Sequence, residues 1–84
     1  MRYRRIQYLT KPGCGLCDEV LPIMERATKR LGVELIAVDI RDEPELTDNY
    51  NMRIPVVLNR RGNVLAEGRI SQWQAYGAAL RAWF

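Results

Sequence analysis

The chain contains no histidine, only two cysteines and a single phenylalanine. Without an imidazole, no side chain of the usual kind is available to act as a base near neutral pH or as a nitrogen ligand for a metal. Structural zinc takes four nitrogen or sulfur ligands, and two cysteines supply half of them. A zinc site would therefore need a second chain or an added ligand. Long apolar runs are also missing. The basic opening Met1-Arg2-Tyr3-Arg4-Arg5 is like the start of a secretion signal, but the apolar stretch after it runs only from Ile6 to Leu9 and is interrupted by Gln7. With no stretch long enough to span a bilayer, the chain is expected to be cytoplasmic and to have no membrane partner. Clustered basic residues are missing as well. The net charge of +3 is scattered, with no basic run longer than Arg4-Arg5 or Arg60-Arg61, so no nucleic-acid partner is expected.

What is present fits an ordinary globular protein: 48% hydrophobic and 27% charged residues. At 84 residues the chain is expected to be a single domain, residues 1–84, without repeats or low-complexity linkers. Residues 3–9 carry Tyr3, Ile6, Tyr8 and Leu9 and read as a strand, ended by the turn Thr10-Lys11-Pro12-Gly13. From Cys14 the period changes. Cys17, Val20, Leu21, Met24, Ala27, Thr28 and Leu31 recur at spacings of three and four, which predicts a helix stopping at Gly32.

Val33 to Ile40 is almost continuously apolar, the pattern of a buried parallel strand. Asp42 and Glu45 have capping-box spacing, and Pro44 suits a first turn, so a short helix is expected through about Tyr50. Val56-Val57-Leu58 and Val64-Leu65-Ala66 flank the turn Asn59–Asn63 as a hairpin. Ser71 and Gln74 repeat the capping-box spacing before a closing helix whose apolar face is expected to be Trp73, Tyr76, Gly77, Leu80, Trp83 and Phe84. Trp73 should pack in the core, while Trp83 or Phe84 could form a contact patch. The order βαβαββα implies an α/β sandwich with a four-stranded mixed sheet and three helices.

Cys14-Gly15-Leu16-Cys17 lies where the first strand turns into the first helix. Residues three apart at a helix start share a face, so the two sulfurs can meet. Cys14 is at the exposed end and Cys17 begins the buried stripe. That makes Cys14 the candidate nucleophile and Cys17 the resolving thiol of a disulfide exchange. The free N–H groups of the first helical turn, the helix dipole and the Lys11 ammonium favour a Cys14 thiolate, while Asp18 and Glu19 oppose it. Metal binding and simple core packing remain open as other uses of the pair.

With Lys11-Pro12-Gly13-Cys14-Gly15-Leu16-Cys17 after a strand, and Arg53-Ile54-Pro55-Val56 opening a later one, the sequence resembles the thioredoxin-like superfamily and, more narrowly, the small bacterial glutaredoxin-like proteins. The resemblance covers essentially the whole chain. It implies a thioredoxin-like, glutaredoxin-type sandwich, a thiol–disulfide oxidoreductase with Cys14 and Cys17 as catalytic residues, and a substrate site at Lys11, Ile54, Pro55 and Gly68. Pro55 would be cis beside the cysteine pair, and the backbone of Ile54 would pair with a bound peptide or glutathione. Between the cysteines stand Gly15 and Leu16, where glutaredoxins carry a Pro-aromatic pair and thioredoxins Gly-Pro.

Before the last helix stands Glu67-Gly68-Arg69-Ile70-Ser71, where classical glutaredoxins show a Gly-Gly pair and an acidic residue to hold glutathione. Arg53 and Arg69 could attract a glutathione carboxylate or an acidic protein surface. No bound prosthetic group or metal is expected. The partners implied are a protein or small-molecule disulfide as substrate, with glutathione or a flavin-dependent reductase as electron donor, and the protein is expected to be a monomer. The alternatives on the same scaffold are a metal or iron-sulfur carrier and a non-catalytic binding module.

Overall fold

The computed structural model describes residues 4–83. Tyr3, expected in the first strand, and Phe84, expected on the last helix, lie outside them. The elements in chain order are β1 (Arg5–Thr10), α1 (Gly15–Leu31), β2 (Glu34–Asp39), a 3₁₀ turn (Ile40–Asp42), α2 (Pro44–Tyr50), β3 (Val56–Leu58), β4 (Val64–Glu67) and α3 (Gln72–Arg81). They form one sheet of order β2-β1-β3-β4, with β1 parallel to β2 and antiparallel to β3, and β4 antiparallel to β3.

Side chains alternate across a strand, and that alternation divides the core in two. Ile6 and Tyr8 of β1 and Val57 of β3 face Val20, Met24 and Ala27 of α1 and Ala75, Ala78 and Ala79 of α3. Leu9, Val56 and Leu58 point to the other face, where Ile40, Leu46 and Tyr50 cover them. Thus α1 and α3 share one side of the sheet and α2 takes the other.

The first helix forms where its spacing predicts. Gly32 ends it at φ 68°, and Val33 N–H donates to the Thr28 carbonyl at 2.9 Å, closing the last turn as only a residue at ease in the left-handed region does cheaply. Pro22 lies within it, exposed, and removes the bond that the Asp18 carbonyl would otherwise accept.

Three expectations are corrected. Val33–Ile40 does supply a parallel strand, but β2 is at the sheet edge, so within it no residue is buried; only the flanking Val33 and Ile40 are. Asp42 does not cap α2. Asp39 caps the 3₁₀ turn by accepting Arg41 N–H at 2.9 Å, and this uses up Ile40 to Asp42, so α2 starts after Glu43 with no side-chain cap. In α3, Ser71 and Gln74 form the reciprocal capping box, yet Trp73 is 85% exposed and Leu80 52%. The buried stripe is Ala75, Ala78 and Ala79, side chains small enough to bring α3 close against α1. Trp83 is half-exposed, donates its indole N–H to the Leu31 carbonyl at 3.0 Å and carries the Arg4 guanidinium 3.5 Å above its ring.

Candidate functional site

Strand β1 delivers the chain into the turn Lys11-Pro12-Gly13, where Gly13 takes φ 81°. The turn is closed by Cys14 N–H donating to the Lys11 carbonyl at 3.3 Å. Cys14 is thereby set as the N-cap of α1, with extended backbone, and Cys17 N–H donates to Cys14 Sγ at 3.1 Å. A sulfur here fills the place that a serine or aspartate oxygen usually takes, receiving one of the free N–H groups of the first turn. Cys14 and Cys17 are joined as a disulfide, with their Cα atoms 5.2 Å apart. Cys17 is buried beneath the helix start, whereas Cys14 keeps partial access to solvent.

Under the pair lies a residue whose part in the site was not anticipated. Tyr8, fully buried, donates its phenol to the Cys17 carbonyl at 2.6 Å. Burial, with the Asp18 and Glu25 carboxylates adding to it, pushes the phenol well above the ordinary tyrosine range, so it stays protonated and a donor. The signal was available: a tyrosine on the inward side of a central strand must find a partner for its hydroxyl.

The other expected site residues follow from sheet register. Leu9 of β1 pairs with Val56, and Val56 pairs in turn with Glu67 of β4. The residues just before Val56 and just after Glu67 are therefore neighbours at the end of the sheet where β1 runs into the cysteine turn. There the Ile54–Pro55 bond is cis, Pro55 is buried, and Gly68 N–H donates to the Pro55 carbonyl at 2.8 Å. Gly68 reaches this position at φ 71°, a conformation that side chains with a Cβ rarely adopt. Lys11 leans the other way and donates its Nζ to Asn51 Oδ1 at 2.9 Å, tying the cysteine turn to the end of α2.

Arg53 and Arg69, candidate anion contacts, both have carboxylates beside them. Arg53 makes a two-point pair with Glu67, at 2.8 and 3.2 Å, with its guanidinium 5.0 Å from the centre of the Tyr50 ring. Each partner favours the other's charge: Glu67 is held below the usual carboxylate range and Arg53 raised. Arg69 Nη1 lies 3.8 Å from Glu19 Oε2. Asp39, at the end of β2, is held below the ordinary aspartate range by its hydrogen bonds from Arg41. Among the described residues no three His, Cys, Asp or Glu side chains come together as a metal-ligand set, and no helix is long and apolar enough to cross a membrane.

Comparison with known proteins agrees with this layout. Two solved structures share the fold over nearly their whole length. One is the X-ray structure of the structural-genomics target protein XcR50 from X. campestris, 23% identical, covering 93% of this chain and 92% of that one with a TM-score of 0.69. The other is thioredoxin 1 from the thermophilic eubacterium Thermosipho africanus, 16% identical, covering 92% and 91% with a TM-score of 0.66. No curated protein matches the chain in sequence. The fold is thus thioredoxin-like, and because residues 5–84 match the model of the Glutaredoxin-like domain (DUF836), the chain belongs to that family.

Proposed function

We propose that the protein is a thiol–disulfide oxidoreductase working through Cys14 and Cys17. The observation that carries this reading is the partly accessible N-cap residue Cys14, its sulfur bonded to that of a buried Cys17. In the reduced protein, the Cys14 thiolate attacks one sulfur of a substrate disulfide. A bond forms between Cys14 and that sulfur, and the other substrate sulfur leaves as a thiolate that takes up a proton. Cys17 then loses its proton and attacks Cys14 Sγ, expelling the second substrate thiolate and closing the Cys14–Cys17 bond. Two electrons pass to the substrate.

The Cys17 N–H that points at Cys14 Sγ favours negative charge on that sulfur once the bond opens. Tyr8, held protonated, takes no part as a base; solvent takes the proton that Cys17 loses and supplies those that the leaving substrate thiolates take up. The substrate segment in this reading docks at Lys11, Ile54, Pro55 and Gly68; the Ile54 and Gly68 N–H groups are already given to the Tyr50 and Pro55 carbonyls, so these two residues would offer it their own carbonyls. The resting disulfide is reopened by glutathione or by a dithiol supplied from a flavin-dependent reductase, with no resident prosthetic group. A cycle of this kind belongs in a reducing, cytoplasmic compartment.

Turnover of a small disulfide, coupled to a reductant, tests the assignment. Cys14→Ser is expected to abolish it, and Cys17→Ser to accumulate a mixed disulfide on Cys14 that mass spectrometry detects as the added mass of one substrate half. Full turnover by Cys14→Ser would overturn the reading.

A further inference from the structure

We infer that Glu67 is a specificity-determining residue that turns the cysteine pair away from small anionic thiols, glutathione among them, by occupying Arg53; the inference rests on the redox reading above. The segments that frame the pair carry three cations, Lys11, Arg53 and Arg69, and three carboxylates, Asp18, Glu19 and Glu67. Local charge therefore sums to zero. Arg53 stands next to Ile54–Pro55, in the turn that leads into β3, and its guanidinium can grip a carboxylate with two N–H groups. That grip is already made: Nε and Nη2 both go to Glu67, which stands next to Gly68 on the neighbouring strand. Backbone pairing of Glu67 with Val56, three residues after Arg53, fixes the carboxylate at the end of the sheet where the Arg53 turn leads into β3. The pair's own electrostatics support the same assignment, since each partner favours the other's charge. A thiol bearing two carboxylates and one ammonium must displace Glu67 and approach it as a like charge. Lys11, bonded to the neutral Asn51 amide, keeps its charge but offers no fork. The donor that suits this site is a dithiol whose contact surface carries no net negative charge.

Reduction of the disulfide by a monothiol provides the test. The thiolate attacks Cys14 Sγ, the Cys14–Cys17 bond breaks and Cys17 leaves with the electron pair and takes up a proton. A second thiol then attacks the reductant's sulfur in the mixed disulfide, releasing Cys14 as a thiolate and the oxidised thiol dimer. The probes are glutathione and its diethyl ester, which present the same tripeptide thiol with and without carboxylates. Rates are read by timed alkylation and mass spectrometry on the full chain. The rate ratio of glutathione to ester is expected to rise about fivefold in Glu67→Gln, the scale of freeing a well-formed surface ion pair. That gain should fade at high salt. Arg53→Gln alone should not raise the ratio and should lower it, because it leaves Glu67 without its counter-charge, whereas Arg53→Gln combined with Glu67→Gln should erase the gain. Glu67→Ala repeats the test with a different side chain. An unchanged ratio in both Glu67 variants, or a gain that survives loss of Arg53, overturns the inference while leaving the redox reading intact. Failure of both thiols and of the uncharged dithiol dithiothreitol to open the disulfide in the native chain overturns both.

Discussion

Tyr8 is the residue at which core packing and the cysteine pair meet. Its ring fills the space between β1 and α1, and its hydroxyl reaches the Cys17 carbonyl. Tyr8→Phe keeps the ring and removes the donor, so a loss of about 1–2 kcal/mol in urea unfolding is expected near pH 8. The sign of the pH dependence follows from the raised phenol. Unfolded tyrosine ionises near pH 10, while folded Tyr8 resists ionisation to higher pH. The stability due to the neutral, bonded phenol is complete below about pH 10 and falls as pH rises from there toward the folded value. At pH 11 about 1.4 kcal/mol of it should be gone, and the gap between native protein and Tyr8→Phe should shrink accordingly. A gap that stays constant from pH 8 to pH 11 would show that the phenol does not titrate differently in the two states. The cysteines themselves were legible from spacing and position, because a helix start places residues three apart on one face. That Tyr8 must bond its hydroxyl was legible from an inward tyrosine on a strand, but which group accepts was not, since the partner is a backbone carbonyl that no side-chain pattern advertises.

Among the elements, α3 shows most directly why an apolar periodicity can be read one face away from the true one. Its large side chains, Trp73 and Leu80, suggested a stripe, yet the helix buries Ala75, Ala78 and Ala79 against Val20, Met24 and Ala27. Hydrophobic weight favours the large residues; close approach of two helices over one sheet face favours the small ones. The capping box was legible because it is local, with both bonds lying within four residues. The α2 cap was not, because a 3₁₀ turn depends on where β2 ends, and edge strands end by tertiary context. The packing can be checked by paired substitutions. Trp73→Ala should shift unfolding free energy by no more than about 0.5 kcal/mol. Ala79→Leu should cost about 1–3 kcal/mol by overfilling the α1–α3 seam. Denaturant melts of both variants decide between the faces, and the opposite order would return Trp73 to the core.

Across the whole molecule, redox state and stability are coupled, because the Cys14–Cys17 bond exists only in the oxidised chain. The loop it closes is short, so the entropy it removes from the unfolded chain is modest, about 2 kcal/mol on a loop-closure basis. Set against this, the Cys17 N–H that donates to Cys14 Sγ in the oxidised chain would favour a charged sulfur in the reduced one, a charge that the disulfide cannot carry. Charge at a helix N-terminus contributes about 0.3–1 kcal/mol. The two effects oppose each other and the loop effect is larger. Oxidised protein should therefore unfold at higher urea than reduced protein, by about 1–2 kcal/mol at neutral pH. By the thermodynamic cycle, the same difference makes the disulfide harder to reduce in the folded chain than in the unfolded one, by about 20–45 mV for a two-electron couple. The redox potential of the native pair and of the pair in denaturant can be measured separately against a thiol buffer. Agreement of that difference with the one from unfolding closes the cycle. A reduced form more stable than the oxidised form would mean that stabilisation of the open Cys14 outweighs loop closure, and that the site is built to release its disulfide rather than to keep it.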